Sequence, residues 1–381
     1  MVNKRVAMRK VFLVTERRAD YSRFKPILRL IDQDPLLDYD LVVTGLHLKE
    51  KHGFTIDEIK GDGFKVFSTF EIFDEEEDSG AVMVRAFGTA VRNISYELEK
   101  SCPDIILSGF DIAANFAVTI AGAHMNIPVA HIQGGEVTGT IDESIRHAMS
   151  KFAHYHFVAN EDAAQRLIRM GEKPGSVFNV GCPSLDAIFD IKDDPSVVKK
   201  YGLSSPFVLI IQHPVTTEFA NSSTQIEETL NAVMELNIDA LFILPNNDAG
   251  YSEITKKIQG SKVKHVPTLT LHDYVNLLKR AKTLIGNSSS GIHETASLYI
   301  PTVNIGSRQQ GRLRPDNVIE TNYNKLEIKN AIERCLFDMN FLNIVKKCKN
   351  PYGDGNTAAK IVELLKKVHI GASIIQKRIT Y

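Results

Sequence analysis

Short runs rich in β-branched residues alternate along this chain with longer stretches whose apolar positions return at helical spacing. The first run, Val11–Thr15, stops at the polar segment Glu16–Ser22, and Lys25–Ile31 then carries Ile27, Leu28, Leu30 and Ile31 on one helical face. Strands are predicted next at 40–44, 64–67, 104–107, 128–132, 155–159 and 177–180, with helices over 82–98, 114–125, from 140 onward, and over 161–170. Strands that read as continuous apolar runs are buried on both faces, and their alternation with helices predicts a parallel, doubly wound sheet. The rhythm pauses over Pro183–Tyr201, which reads as a linker. A second series follows, with strands at 207–212, 240–244, 263–266, 283–285 and 302–305 and helices over 225–236, 253–258 and 271–281. A last helix, 357–368, is long enough to cross back to the first unit. The predicted fold class is α/β, with Rossmann-like domains over 1–185 and 186–355 and a returning C-terminal segment, 356–381.

Composition narrows the function classes. At 381 residues the chain exceeds one typical core, and two domains of about 150–200 residues each are expected. Its 45 basic and 46 acidic residues nearly cancel, which argues against a nucleic-acid or anionic-membrane binder. The basic start, Met1–Lys10, is followed by an apolar run too short for a signal peptide, and no segment is long enough to span a bilayer. The acidic stretch Asp74–Asp78 reads as a solvated loop. Cys102, Cys182, Cys335 and Cys348 form no C-x-x-C pair, so neither a disulfide framework nor a zinc site is indicated. A soluble, cytoplasmic protein is expected. Neither half carries G-x-G-x-x-G after its first strand, which argues against a dinucleotide cofactor.

The stretch most suggestive of chemistry is Lys282–Glu294, K-T-L-I-G-N-S-S-S-G-I-H-E. A buried strand runs into a small-residue turn, and a helix is predicted to open near Ile292. Backbone N–H groups, the hydroxyls of Ser288, Ser289 and Ser290, and the positive helix end would converge on one point, where glycines let a phosphate come close. Glu294 is placed to accept hydrogen bonds from a ribose diol. Polar residues gather at other strand ends too: Arg18, His47, Asp111, Gln133, Glu136 and Asp142 in the first half, His213, Asn246, Arg308 and Arg312 in the second. If both sheets face one cleft, the second half holds phosphate and ribose. The carboxylates of the first then suit proton transfer at a sugar carbon, with basic groups stabilising a departing phosphate. His147, His154 and His156 fit no metal-ligand spacing, so no metal is expected.

Eight motifs, in order, carry a family resemblance: R-A-D-Y-S (18–22), G-G-E-V-T-G-T-I-D-E-S-I-R-H (134–147), H-Y-H (154–156), G-C-P-S (181–184), Q-H-P-V-T-T (212–217), G-N-S-S-S-G (286–291), G-S-R-Q-Q-G-R (306–312) and Y-G-D-G-N (352–356). Together they resemble the hydrolysing UDP-N-acetylglucosamine 2-epimerases of the NeuC type, and the epimerase half of the bifunctional animal enzyme that adds a kinase. The resemblance implies a GT-B-like fold with its active site between the domains. It implies conversion of UDP-N-acetylglucosamine and water into UDP and N-acetylmannosamine, a step towards sialic acid, with no cofactor. Carried over by position, Asp111, Glu136, Asp142 and His213 are implied as catalytic. Arg18, His47, Gln133, Arg146, Asn246, Ser288, Ser289, Ser290, Glu294, Arg308 and Arg312 are implied to bind substrate or nucleotide. A homodimer, or a tetramer, is also implied. Two departures stand out. Gly109-Phe110-Asp111-Ile112 replaces the family's G-D-R, and Gln133 stands where several members have a glutamate base. They raise two alternatives, the same chemistry on a UDP-linked 2,4-diacetamido-2,4,6-trideoxy sugar and a non-catalytic sugar-nucleotide sensor; a GT-B glycosyltransferase, which would share the nucleotide loop, is a third.

Overall fold

The computed structural model describes residues 8–73, 79–236, 238–246 and 248–381. The acidic stretch Asp74–Asp78 and most of the basic N-terminus lie outside them. In the first half, β1 (Arg9–Thr15), β2 (Leu37–Thr44), β3 (Val66–Phe70), β4 (Ile105–Gly109), β5 (Val129–Ile132), β6 (Tyr155–Val158) and β7 (Val177–Asn179) form one seven-stranded sheet in the order β3-β2-β1-β4-β5-β6-β7. In the second, β8 (Phe207–Ile211), β9 (Asp239–Ile243), β10 (Lys264–Val266), β11 (Leu284–Gly286), β12 (Thr302–Ile305) and β13 (Val318–Thr321) form a six-stranded sheet in the order β10-β9-β8-β11-β12-β13. All pairings are parallel.

Side chains alternate across a strand, so each central strand feeds two cores. Val11 and Leu13 of β1 pack with Leu41, Ile105 and the helix Arg18–Asp32, whereas Phe12 and Val14 pack with Val42, Ile106 and the helices Gly80–Ser101 and Ala113–His124. The helix Thr357–Lys367 places Ala358, Ile361, Val362 and Leu365 in the first of these cores, crossing back as its length predicted. Its N-terminus is fixed by Asp186, whose carboxylate accepts from the N–H groups of Thr357 (3.1 Å) and Ala358 (2.8 Å).

The chain then runs beneath the first sheet. There the Lys377 ammonium donates to the carbonyls of Ser150 and Lys151, both at 3.0 Å, and pairs with Glu172 at 2.7 Å. These carbonyls end the helix Ile141–Phe152, where a cation is favourable.

Two expectations shift. The first helix starts at Arg18, seven residues before Lys25, because Asp20 accepts from the N–H groups of Glu16 (2.9 Å) and Arg17 (2.8 Å) and fixes its first turn. Strand β13 and the helices Lys325–Phe337 and Met339–Val345 have no counterpart in the sequence reading. β13 is a half-buried edge strand containing Glu320, so it lacks the apolar run that marks a central strand.

Strand order reverses between β1 and β4 in one sheet and between β8 and β11 in the other. Such switch points open crevices at the C-terminal ends of the strands. Here the two crevices face each other.

Candidate active site

A cleft of about 1070 Å³ lies between the two sheets. From the first switch point come Glu16 and Arg17, after β1, and Phe110 and Asp111, after β4. Phe110 (φ +73°) and Asp111 (φ +56°) are both left-handed without being glycine, as is Gln133 (φ +60°) after β5. Each such residue costs about 1–3 kcal/mol, and strain of this kind is held where a site needs it. Phe110 is seated edge-on against Phe24, with ring centroids 4.9 Å apart, beneath the Arg23 guanidinium at 5.2 Å. This pins the turn that lifts Asp111 towards the cleft.

Asp111 Oδ2 accepts two hydrogen bonds from Arg146, from Nε at 2.9 Å and from Nη2 at 2.6 Å. Its buried Oδ1 has no partner among the described residues. Burial pushes the Asp111 carboxyl up, Arg146 pulls it back, and the charge of Asp142 adds to the rise. Asp142 lies in the first turn of Ile141–Phe152 and lines the same wall. Around this pair the wall is apolar, with Met83, Phe87, Ile112, Phe116, Ile141 and Ile145. Phe87 and Phe116 are stacked at 4.9 Å.

The opposite wall comes from β8 and β11. Gly286 ends β11 at φ +125°, and a Cβ there would lie 2.0 Å from the Ile211 carbonyl oxygen, so only glycine fits. The next residue, Asn287, is fully buried and organises the wall. Its side chain accepts from the His213 N–H (2.7 Å) and donates to the His213 carbonyl (2.8 Å). Its own carbonyl accepts from Arg308 (3.2 Å) and Gln309 (2.8 Å). His213 Nδ1 accepts the Asn246 backbone N–H at 3.3 Å, which puts the ring proton on Nε2. Burial and the cations Arg308 and Arg17 hold His213 well below the usual histidine range, so it is a neutral donor. Ser288, Ser289 and Arg308 complete this face. The predicted helix after the loop is one turn, Ser290–His293, followed by a tight turn at Thr295–Leu298. This face therefore presents hydroxyls and arginines rather than the end of a long helix.

The sequence profile of a family described as UDP-N-acetylglucosamine 2-epimerase matches residues 29–366. The chain belongs to this family. It is 36% identical over 97% of its length to the UDP-N,N'-diacetylbacillosamine 2-epimerase (hydrolyzing) of Legionella pneumophila, of which the match covers 99%. It is 34% identical over 86% of its length to a UDP-N-acetylglucosamine 2-epimerase of Neisseria meningitidis, of which the match covers 87%. Among solved structures, the UDP complex of MnaA from S. aureus superposes with a TM-score of 0.79 at 19% identity, covering 94% of this chain and 96% of that one, which shows the shared fold. The resemblance read from the eight motifs and the GT-B-like, two-sheet α/β architecture are thus shown, and the family is one of UDP-sugar 2-epimerases.

Of the family positions expected from sequence, Asp111, Asp142, Arg146, His213, Asn246, Ser288, Ser289, Arg308 and Arg312 line the cleft together. Six others stand behind its walls. Arg18 turns away to bond Glu58 (2.8 Å), Thr268 (3.0 Å) and the Leu269 carbonyl (2.9 Å), so Arg17, just before the helix, takes the cleft position instead. His47 is buried between Thr15 (3.0 Å) and Thr55 (2.5 Å), and burial pushes it down to about 3. Gln133 and Glu136 are buried beneath the wall, with Gln133 Nε2 3.4 Å from Glu136 Oε1. Ser290 donates to Glu294 at 2.6 Å, and both are buried behind Ser288 and Ser289, where burial pushes the Glu294 carboxyl up.

Arg23 escaped the sequence reading, whereas Arg17, at the C-terminal edge of the first strand, and Asn287, within G-N-S-S-S-G, lay in segments it singled out without being named as contacts. Arg23 sits one turn further along the same helix and reaches Ser289 at 3.5 Å. His156, one of the three histidines weighed for a metal, instead bonds Glu172 at 3.0 Å. Among the described residues no helix is long and apolar enough to cross a membrane.

Glu294→Ala is expected to weaken UDP binding by more than it lowers kcat, because it removes the acceptor that orders Ser290. Calorimetry of UDP binding beside steady-state kinetics checks this.

Proposed function

We propose that this family member is a hydrolysing sugar-nucleotide 2-epimerase that releases UDP and a free 2-epimeric amino sugar. The observation that carries the reading is the facing of two unlike walls. One holds the Asp111–Arg146–Asp142 group, and the other a neutral His213 with Ser288, Ser289 and Arg308.

The substrate's C2–H is barely acidic until positive charge builds at C1. Cleavage of the C1–O bond to the diphosphate must therefore lead. His213 Nε2–H, Arg17 and Arg308 stabilise the departing diphosphate. A carboxylate of the Asp111–Asp142 pair takes the C2 proton, leaving a 2-acetamidoglucal. Water then adds across the C1–C2 bond, with OH going to C1 and a proton to C2 from the opposite face. Ion pairing to Arg146 keeps Asp111 oriented, and burial keeps its pKa high enough to release a proton as well as accept one.

The apolar wall bears on which sugar is used. A hexose with hydroxyls at C4 and C6 needs hydrogen-bond partners there, and Met83, Phe87, Ile112, Phe116, Ile141 and Ile145 offer none. A C6 methyl and the methyl of a second acetamido group suit such a surface. The preferred substrate in this reading is a UDP-linked 2,4-diacetamido-2,4,6-trideoxy sugar, with UDP-N-acetylglucosamine second. The Legionella pneumophila relative, a UDP-N,N'-diacetylbacillosamine 2-epimerase by name, supports this reading. Residues 1–185 then form the sugar-handling unit, 186–355 the UDP-binding unit and 356–381 the return segment, and the reaction is cytoplasmic.

The test is incubation with each sugar nucleotide in deuterated water without an acceptor. UDP release with C2-deuterated 2-epimer supports the proposal. Turnover only with an added sugar acceptor would make it a transferase, and binding without turnover a sensor.

The raised Asp111 pKa also sets a pH dependence. A raised carboxyl pKa means the base form is lost at higher pH than usual. The acid limb of the kcat profile is therefore expected above the ordinary aspartate range, and Arg146→Met, which removes the opposing cation, should move it further up.

A further inference from the structure

We propose that Glu136 is a positioning residue that couples the nucleotide loop to Asp111; the role rests on the epimerase reading above. Glu136 follows β5 on the first-sheet side and is only 3% exposed. Its carboxylate crosses to the second half, where Oε2 meets His293 Nε2 at 3.1 Å and Arg312 Nε at 3.0 Å. His293 ends the turn that contains Ser290 and follows Ser288 and Ser289 directly. It is seated by the Tyr352 ring, 4.4 Å away, and its carbonyl accepts from Asn350 at 2.7 Å. The loop that faces the anion therefore cannot shift without moving the partner of Glu136.

The other end of the link is equally direct. The Glu136 carbonyl accepts from Arg146 Nη1 at 2.9 Å, and the rest of that guanidinium holds Asp111. One buried guanidinium thus reads the position of both residues. Despite its burial, His293 and Arg312 hold the Glu136 carboxyl well below the usual range. Burial pushes His293 down to about 4, so it donates as a neutral ring while Arg312 carries the charge. A carboxylate kept ionised, hydrogen-bonded to His293, ion-paired with Arg312 and set behind the cavity wall has the character of a strut. It is poorly placed to exchange protons with a sugar, which moves it out of the catalytic role inferred from sequence.

The test compares the wild-type protein with Glu136→Gln, Arg312→Gln and the double variant. Three readouts are needed: turnover on the sugar nucleotide that wild type uses, UDP affinity by calorimetry, and amide hydrogen exchange with and without UDP. UDP is expected to slow exchange in the helix Ile141–Phe152 of wild type and to leave that helix unprotected in Glu136→Gln. In that variant kcat should fall by about 10²-fold through misplacement of Asp111, with UDP affinity within an order of magnitude of wild type. The acid limb of its pH profile should persist and move to lower pH, since loss of the buried Glu136 charge leaves the cations Arg146 and Arg312 less offset beside Asp111. The double variant should be no worse than the worse single, because both break one link.

Proportional loss of turnover, UDP affinity and melting temperature would make Glu136 merely structural. Disappearance of the acid limb would make it the base. UDP protection of the helix surviving in the variant would also overturn the proposal. If Glu136→Gln fails to fold, His293→Gln alters the same link by exchanging one neutral side chain for another and is judged by the same exchange readout. A wild type inactive on both sugar nucleotides would count against the epimerase reading, while the exchange readout would still decide the coupling.

Discussion

Asp111→Asn is expected to lower kcat by about three orders of magnitude, within the range typical of a lost acid–base group, and to leave UDP affinity nearly unchanged. Asparagine has the same shape and can still accept from Arg146 through its carbonyl oxygen, so the strained turn at Phe110–Asp111 should survive. It cannot take a proton. UDP affinity should hold because the proposed nucleotide contacts, Ser288, Ser289, His213 and Arg308, are fixed by Asn287 on the other sheet. Steady-state kinetics and UDP calorimetry on the same preparation decide the matter. Near-normal turnover would shift the proton work to Asp142, and Asp142→Asn would then become the deciding variant. Equal losses in turnover and UDP affinity would mean that Asp111 holds the cleft together rather than doing its chemistry.

Gly139→Ala is expected to cost about 10²-fold in kcat/KM by spoiling alignment across the cleft. Gly139 lies three residues before Asp142, and its N–H donates to the Arg308 carbonyl at 3.1 Å. A Cβ added there would sit 2.0 Å from the Ser307 carbonyl oxygen. That neighbour is backbone, so no rotamer change relieves the clash. The segment carrying Thr138 and Thr140 must part from the loop carrying Arg308 and Arg312. Each wall stays internally intact, so the melting temperature should change less than activity does. A variant within a few-fold of wild type would show that this contact is open in the working enzyme.

The residues themselves explain what could be read from sequence. The central strands were legible because burial on both faces leaves runs such as Val11–Val14 and Phe207–Ile211. Strand-end residues followed from them: Asp111, His213 and Ser288 sit where each run stops, and the fold carries such positions to the crevice. Choosing between Arg17 and Arg18 required the helix start, which depends on one carboxylate accepting two amides, a feature without periodicity. Glu136 was harder still. Its partner His293 lies 157 positions away in the other half, and no local pattern reveals that contact. The motif G-G-E gives a glutamate near the site; only geometry shows it turned away from the cavity.

The Lys377 contact has a practical side. The ammonium of Lys377 closes the end of the helix whose first turns carry Asp142 and Arg146. A load applied to the chain beside Lys377 is therefore borne by that plug. Handles for labelling or tethering are better placed elsewhere on the chain.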